Sequence, residues 1–218
     1  MVSLSVAILP VTPLQQNCTL LWDEENKNAA VIDPGGDVNQ ILNVVMQQEL
    51  KVEKIILTHG HIDHAGGAAE LKEALQEHGR EVPIEGPHID DKFLLDDLAN
   101  AGAQYGMSDA KNVTPDLWLE EGGVLNIVGL DFSIHHCPGH SPGSLVYINK
   151  EMKLALVGDV LFKGSIGRTD FEYGDHDALI TAIKTHLLPL DDDITFICGH
   201  GPVSTIGEER HTNPFIQD

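Results

Sequence analysis

The sequence predicts a mixed α/β (α+β) protein: two mixed β-sheets with helices on their outer faces. Three observations carry that reading. Short apolar, β-rich runs recur along the 218 residues and alternate with segments of helical periodicity. Turn signals built on glycine and proline separate the segments. No linker, low-complexity tract or internal repeat divides the chain, so residues 1–218 are expected to form one domain.

The elements follow in order. The N-terminal run Met1–Leu9 has no basic flank and no small-residue cleavage site, so it reads as a first strand rather than a secretion signal. Asn28–Asp33 is a short strand stopped by Pro34-Gly35-Gly36. Asp37 is then expected to cap a helix whose Val38, Ile41, Leu42 and Val45 share one face. Lys54–Thr58 is a second buried strand, and Ala68, Leu71 and Leu75 mark a helix closed by Gly79. Leu130, Phe132, Ile134 and His136 alternate with polar residues, as a half-buried strand requires. Leu145–Ile148 and Leu154–Val157 are two more, joined by a turn near Asn149-Lys150. Asp175 is expected to cap a helix carrying Leu179, Ile183 and Leu187, and Asp193–Cys198 is a late strand.

Composition narrows the function. With 42% hydrophobic and 22% charged residues the chain has the profile of a soluble globular protein. No apolar run approaches the roughly 20 residues that span a bilayer, so no membrane association is expected and the cytoplasm is the default location. Cys18, Cys137 and Cys198 are odd in number and widely spaced, which fits buried, reduced thiols rather than a disulfide framework. The formal charge of −21, from 34 acidic and 13 basic residues, would repel phosphate backbones and argues against a nucleic-acid partner. Twelve histidines, several of them clustered, point instead to cations.

The densest cluster is Thr58-His59-Gly60-His61-Ile62-Asp63-His64, placed after an apolar strand and before a helix. Neutral imidazole and carboxylate suit zinc, iron or manganese, and one short loop of this kind can aim donors at two nearby points. Three later segments repeat the pattern of apolar strand, glycine and donor. They are Cys137-Pro138-Gly139-His140, Leu156-Val157-Gly158-Asp159 and Phe196-Ile197-Cys198-Gly199-His200. Glycine lets the backbone pass close to a metal without a Cβ clash.

Taken in order, these motifs resemble the metallo-β-lactamase superfamily. The resemblance runs from Asp33 to Pro202 and implies an αββα sandwich with metals at one edge, between the sheets. It implies that His59, His61 and His140 hold a first metal, that Asp63, His64 and His200 hold a second, and that Asp159 bridges them. Asp33 matches a position standing behind the ligands. The implied cofactor is a pair of divalent ions, best matched by zinc, with iron or manganese fitting the same donors. Metals about 3.5–4 Å apart can share a water and bring its pKa towards about 7, giving a hydroxide that attacks a carbonyl. Asp63 then has a second implied role, orienting that nucleophile.

Within the superfamily, His61, the Asp63-His64 pair and Asp159 argue against a typical class B β-lactamase. The stretch Phe162 to Phe171, with Gly167-Arg168-Thr169-Asp170, resembles the loop of glyoxalase II and of the persulfide dioxygenases. In the former, a basic residue matching Arg168 contacts the glutathione part of the substrate. The latter use one iron held by the equivalents of His59, His140 and Asp159. Gly199-His200-Gly201-Pro202 and the ending Glu208 to Phe215 resemble a short bacterial branch of glyoxalase II-like hydrolases, without the helical C-terminal domain of longer members. Pro202 stands where those longer enzymes have a tyrosine. The expected activity is hydrolysis of a small-molecule thioester such as S-lactoylglutathione, with Arg168 as a substrate contact; a mononuclear iron persulfide dioxygenase is the alternative.

Overall fold

The computed structural model describes residues 2–217. One sheet is formed by β1 (Leu4–Val11), β2 (Gln16–Asp23), β3 (Asn28–Ile32), β4 (Lys51–Ile56) and β5 (Ile84–Glu85), in that spatial order. The first three are antiparallel neighbours, while β3, β4 and β5 run parallel. The helices α1 (Val38–Gln47), α2 (Ile62–Ala65) and α3 (Ala68–Glu77) interleave with these strands, and α4 (Lys92–Leu95) and α5 (Leu98–Tyr105) follow.

The second sheet contains β6 (Val124–Ile127), β7 (Leu130–His136), β8 (Leu145–Asn149) and β9 (Leu154–Gly158). A hairpin of β10 (Leu161–Phe162) and β11 (Ser165–Ile166) precedes α6 (His176–Ala182), and β12 (Thr195–Cys198), β13 (Ser204–Thr205) and α7 (Ile206–Thr212) complete the fold. The spatial order is β13-β12-β9-β8-β7-β6, with β12 parallel to β9 and the other pairs antiparallel.

The strand sequences explain the layering. Ala30, Ile32 and Ile56 meet Phe132, Leu145, Tyr147, Leu156 and Ile197 in the core between the sheets. Their neighbours Ala29, Val31 and Ile55 face the other way, onto Val38, Ile41, Val45, Leu71 and Leu75 of α1 and α3. On the second sheet Val146, Ile148, Ala155, Val157 and Phe196 turn outward onto Leu179, Ile183, Leu187 and Ile206. Strands covered on both faces must be apolar at consecutive positions, and this is why they read as continuous runs. The result is the αββα sandwich, with two mixed sheets and outer helices.

Local expectations mostly hold. Gly79 closes α3 at φ +77°, and the Asp175 carboxylate accepts a hydrogen bond from the Ala178 N–H at 2.9 Å. All three cysteines are free and buried. Asp37 is a correction. It occupies the residue before α1 but in a left-handed conformation (φ 49°), and its side chain caps nothing there. Its carboxylate instead accepts the Thr12 N–H at 2.7 Å, tying the β1–β2 turn to the helix. The first strand also runs on through Pro10, which an edge strand tolerates. The helix after Asp175 changes to a π-helical segment over Ile183–Leu187.

The ending Glu208 to Phe215 has a physical role in this packing. Buried Glu209 accepts hydrogen bonds from the Gly164 N–H (2.7 Å), the Ser204 hydroxyl (2.5 Å) and the Asn213 amide (2.9 Å). The same Asn213 amide donates to the Ser165 carbonyl at 2.9 Å. Together they fix the β10–β11 hairpin, which follows Asp159 directly.

Candidate metal centre

The strand ends deliver the donors. After β4, the chain turns through Thr58–His61 and enters α2, so His59 and His61 precede the helix while Asp63 and His64 lie on it. His140 follows β7, Asp159 follows β9 and His200 follows β12. All seven sequence-predicted donors therefore converge at one edge of the sandwich.

They form two groups. His59 Nε2 lies 3.0 Å from His61 Nδ1, which lies 2.9 Å from His140 Nε2. Asp63, His64 and His200 form the second, with His200 Nε2 3.1 Å from an Asp63 oxygen. Asp159 faces both: one oxygen is 3.5 Å from His140 Nε2 and 3.5 Å from His200 Nε2, and the other is 3.2 Å from His64 Nε2.

The residues behind these atoms fix which nitrogen carries the proton. The Thr58 hydroxyl donates to Asp33 at 2.6 Å, so it accepts from His59 Nδ1 at 3.1 Å, leaving His59 Nε2 as a lone pair. His140 Nδ1 donates to the Arg168 carbonyl at 2.8 Å, and His64 Nδ1 to Asp33 at 2.9 Å. The inward-facing nitrogens of all three are thus free to bind a cation. Asp33 stands behind His64 and Thr58, as its sequence position implies.

Burial holds His59 well below the usual imidazole range and His61 down to about 3, so both are neutral. Burial also opposes charge on His64, but the carboxylates of Asp159, Asp63 and Asp33 outweigh it and raise that residue. Desolvation likewise works against the Asp159 anion, yet His64, His140 and His200 hold it well below the ordinary carboxylate value.

The donor set fits a pair of cations. Ligand atoms on a near-tetrahedral metal with bonds of about 2.0–2.2 Å stand roughly 3.3–3.6 Å apart. The separations from Asp159, 3.2 to 3.5 Å, are close to that spacing, and those among the histidines and Asp63 are a few tenths of an ångström shorter. His64 Nε2 and one Asp159 oxygen are buried with no other hydrogen-bond partner and face each other at 3.2 Å, a pair that a cation between them would satisfy. A Cβ on Gly199 would come within 2.0 Å of Asp159 Oδ1 and 2.4 Å of His64 Cε1, so only glycine leaves room at this point.

Against this geometry, the metallo-β-lactamase superfamily model matches residues 11–200. The chain belongs to that superfamily. It is 46% identical over 214 residues to the hydroxyacylglutathione hydrolase GloC of Haemophilus influenzae, covering 98% of each chain. Among solved structures, it superposes on the BLEG-1 B3 metallo-β-lactamase with a TM-score of 0.88 at 34% identity, covering 98% of this chain and 100% of that one. TTHA1623 in a di-iron-bound form gives a TM-score of 0.83 at 35% identity, covering 96% and 99%.

Three residues that sequence reasoning did not single out also shape the superfamily site here. Asp91, fully buried, accepts from the Gly60 N–H (2.7 Å), the Ser141 hydroxyl (2.8 Å) and the Gly143 N–H (2.5 Å). It thereby joins the loop of His59 and His61 to the loop of His140. Burial pushes its carboxyl up to about 6, and those three donors resist the shift. The Tyr173 hydroxyl lies 2.8 Å from His61 Nε2, on the side away from the cluster, and its ring stacks on Phe171. Gln16 reaches His64 Nδ1 at 3.4 Å from β2.

A cleft of about 520 Å³ opens beside His61, Asp63, His140, Asp159 and His200. Its walls include Leu14, Leu94, Leu98, Phe162, Ile166 and Phe171. Arg168 lines it too, as the only Lys or Arg among its described residues. That guanidinium is already engaged: it meets both oxygens of Asp170 at 2.7 and 2.8 Å and lies over the Phe171 ring, 4.5 Å from its centre.

Proposed function

We propose that this chain is a dinuclear metal-dependent thioester hydrolase of the hydroxyacylglutathione hydrolase type. The observation that carries the reading is the pair of three-donor groups sharing Asp159 at the end of an apolar cleft. His59, His61 and His140 would hold one divalent ion, Asp63, His64 and His200 the other, and Asp159 both, with zinc the best match to this donor set. Such ions would supply Lewis acidity and bring the pKa of water towards about 7.

The protein groups do the rest. Asp63 borders the cleft and orients the attacking water through its carboxylate. Asp33, Thr58 and the Arg168 carbonyl keep the imidazoles in the tautomers that point lone pairs inward. Tyr173, whose hydroxyl burial pushes up to about 12, stays a neutral phenol and orients His61. A thiolate is a good leaving group, so no separate general acid is required.

A mononuclear dioxygenase would need only His59, His140 and Asp159. The convergence of Asp63, His64 and His200 supports the dinuclear hydrolase, as does the name of the 46% identical relative. With S-lactoylglutathione as substrate, thiol is expected to appear without oxygen uptake. Oxygen consumption with glutathione persulfide and no thiol release from the thioester would overturn the proposal.

Recognition of the thiol half is expected to be loose. Glutathione carries two carboxylates, while the cleft offers a single guanidinium already paired with Asp170, in a chain of net charge −21. Remote contacts that are missing cannot contribute binding energy in the transition state. The kcat/KM values for lactoyl thioesters of glutathione and of a truncated thiol should therefore differ by less than about a hundredfold, or ~2.7 kcal/mol. A larger preference would show that glutathione is held by groups this reading does not include.

A further inference from the structure

A second cluster of donors lies on the outer face of the second sheet. Along β7, Ile134 fills the inter-sheet core, so its neighbours Ser133 and His135 point outward, beneath the π-helical segment Ile183–Leu187. That segment brings His186 against His135, with the two Nδ1 atoms 3.2 Å apart. Glu121, in the turn before β6, completes the group. One of its oxygens accepts the His136 N–H, and the other stands 3.5 Å from His135 Nδ1.

The hydrogen bonds around His135 show which nitrogen is available. The Ser133 hydroxyl donates to the Ile148 carbonyl at 3.1 Å, so it accepts from His135 Nε2 at 2.9 Å. His135 Nδ1 is then a lone pair aimed at His186 Nδ1 and Glu121. Spacings of 3.2 and 3.5 Å are close to the edge of a tetrahedron around a cation with bonds of about 2.0–2.2 Å. The donors come from a turn, a strand and a π-helical segment, an element often associated with functional positions. His88, Asp90 and His136 form a further trio, but His88 Nδ1 accepts the Asp90 N–H of its own turn.

We propose that Glu121, His135 and His186 bind a borderline divalent cation such as zinc, at a site separate from the dinuclear centre. Without the ion, the His186 Nδ1–H donates to His135 Nδ1; on binding, that proton moves to His186 Nε2, both Nδ1 lone pairs turn to the ion, and the π-helical segment is tied to β7. Water completes the coordination on the exposed side. The role is structural, because β7 leads directly into the loop that carries His140.

The test counts zinc on the full chain after dialysis against micromolar zinc, and compares variants with the wild type rather than with an assumed total. His186→Gln should carry one ion fewer per chain. Glu121→Gln keeps an acceptor for the His136 N–H but removes the charge, and should weaken that ion's binding about tenfold or more. Zinc should raise the wild-type unfolding midpoint by about 5 °C more than that of either variant. If His186→Gln does not fold, the Glu121→Gln comparison decides alone. Equal zinc content and equal thermal shifts in wild type and variants would overturn the site. Loss of the ion from His88→Gln instead would do the same, by placing it elsewhere.

Discussion

Replacing His64 with alanine is expected to reduce bound metal by one ion per chain and to slow thioester hydrolysis by about a thousandfold or more, some 4 kcal/mol in transition-state stabilisation. His64 is fully buried, its Nδ1 is held by Asp33, and its Nε2 has no partner beyond the Asp159 carboxylate. The only chemistry left to Nε2 at that depth is a cation or a proton shared with Asp159, 3.2 Å away. Alanine removes one of the three donors of the second group and keeps all three of the first, His59, His61 and His140. Metal analysis and steady-state hydrolysis check this. A variant that keeps its full metal content, or loses less than about tenfold in rate, would mean that the second group is not a working metal site.

Asp91→Ala should produce the second large effect, through stability and metal affinity together. The Asp91 carboxylate is the common acceptor for Gly60, Ser141 and Gly143, and so joins those two loops. Buried donors left unmet cost about 1–3 kcal/mol each, so at least ~3 kcal/mol of stability is expected to go. For a chain of this size that is a fall of about 6–12 °C in the unfolding midpoint. Loss of such support typically weakens metal affinity by about 10–100-fold. Denaturant unfolding and competition with a chelator measure the two consequences separately. An unchanged midpoint with unchanged affinity would remove Asp91 from the account.

The contrast between His64 and Asp91 shows what was legible in the chain. Four donors within His59–His64 announce themselves because their density in a glycine-containing turn has few other uses. His140, Asp159 and His200 follow by repetition of the same strand-glycine-donor pattern. Asp91 sits in Gly86-Pro87-His88-Ile89-Asp90-Asp91, which reads as an ordinary polar helix start, and its partners lie 31 to 52 positions away. Only the fold brings them together. Asp37 misleads for the complementary reason: an aspartate before an apolar helical face looks like a cap, but the Thr12 N–H is a better-placed donor. The sandwich itself was readable because its strands are apolar on both faces. Strand β2 was not, since Gln16, Asn17 and Thr19 are buried polar residues that break the apolar run. Two of them border the site: the Gln16 side chain lies beside His64, and the Asn17 amide holds the Cys198 carbonyl at 3.0 Å, two residues before His200.

The most direct test of the proposed dinuclear hydrolase is a titration of metal-free protein with zinc, following thiol release from S-lactoylglutathione. Hydrolysis is expected to remain low through the first equivalent and to rise steeply with the second, then to level off while any further ion binds silently. Full activity at one equivalent would contradict the account, as would a metal-replete protein that takes up oxygen and releases no thiol.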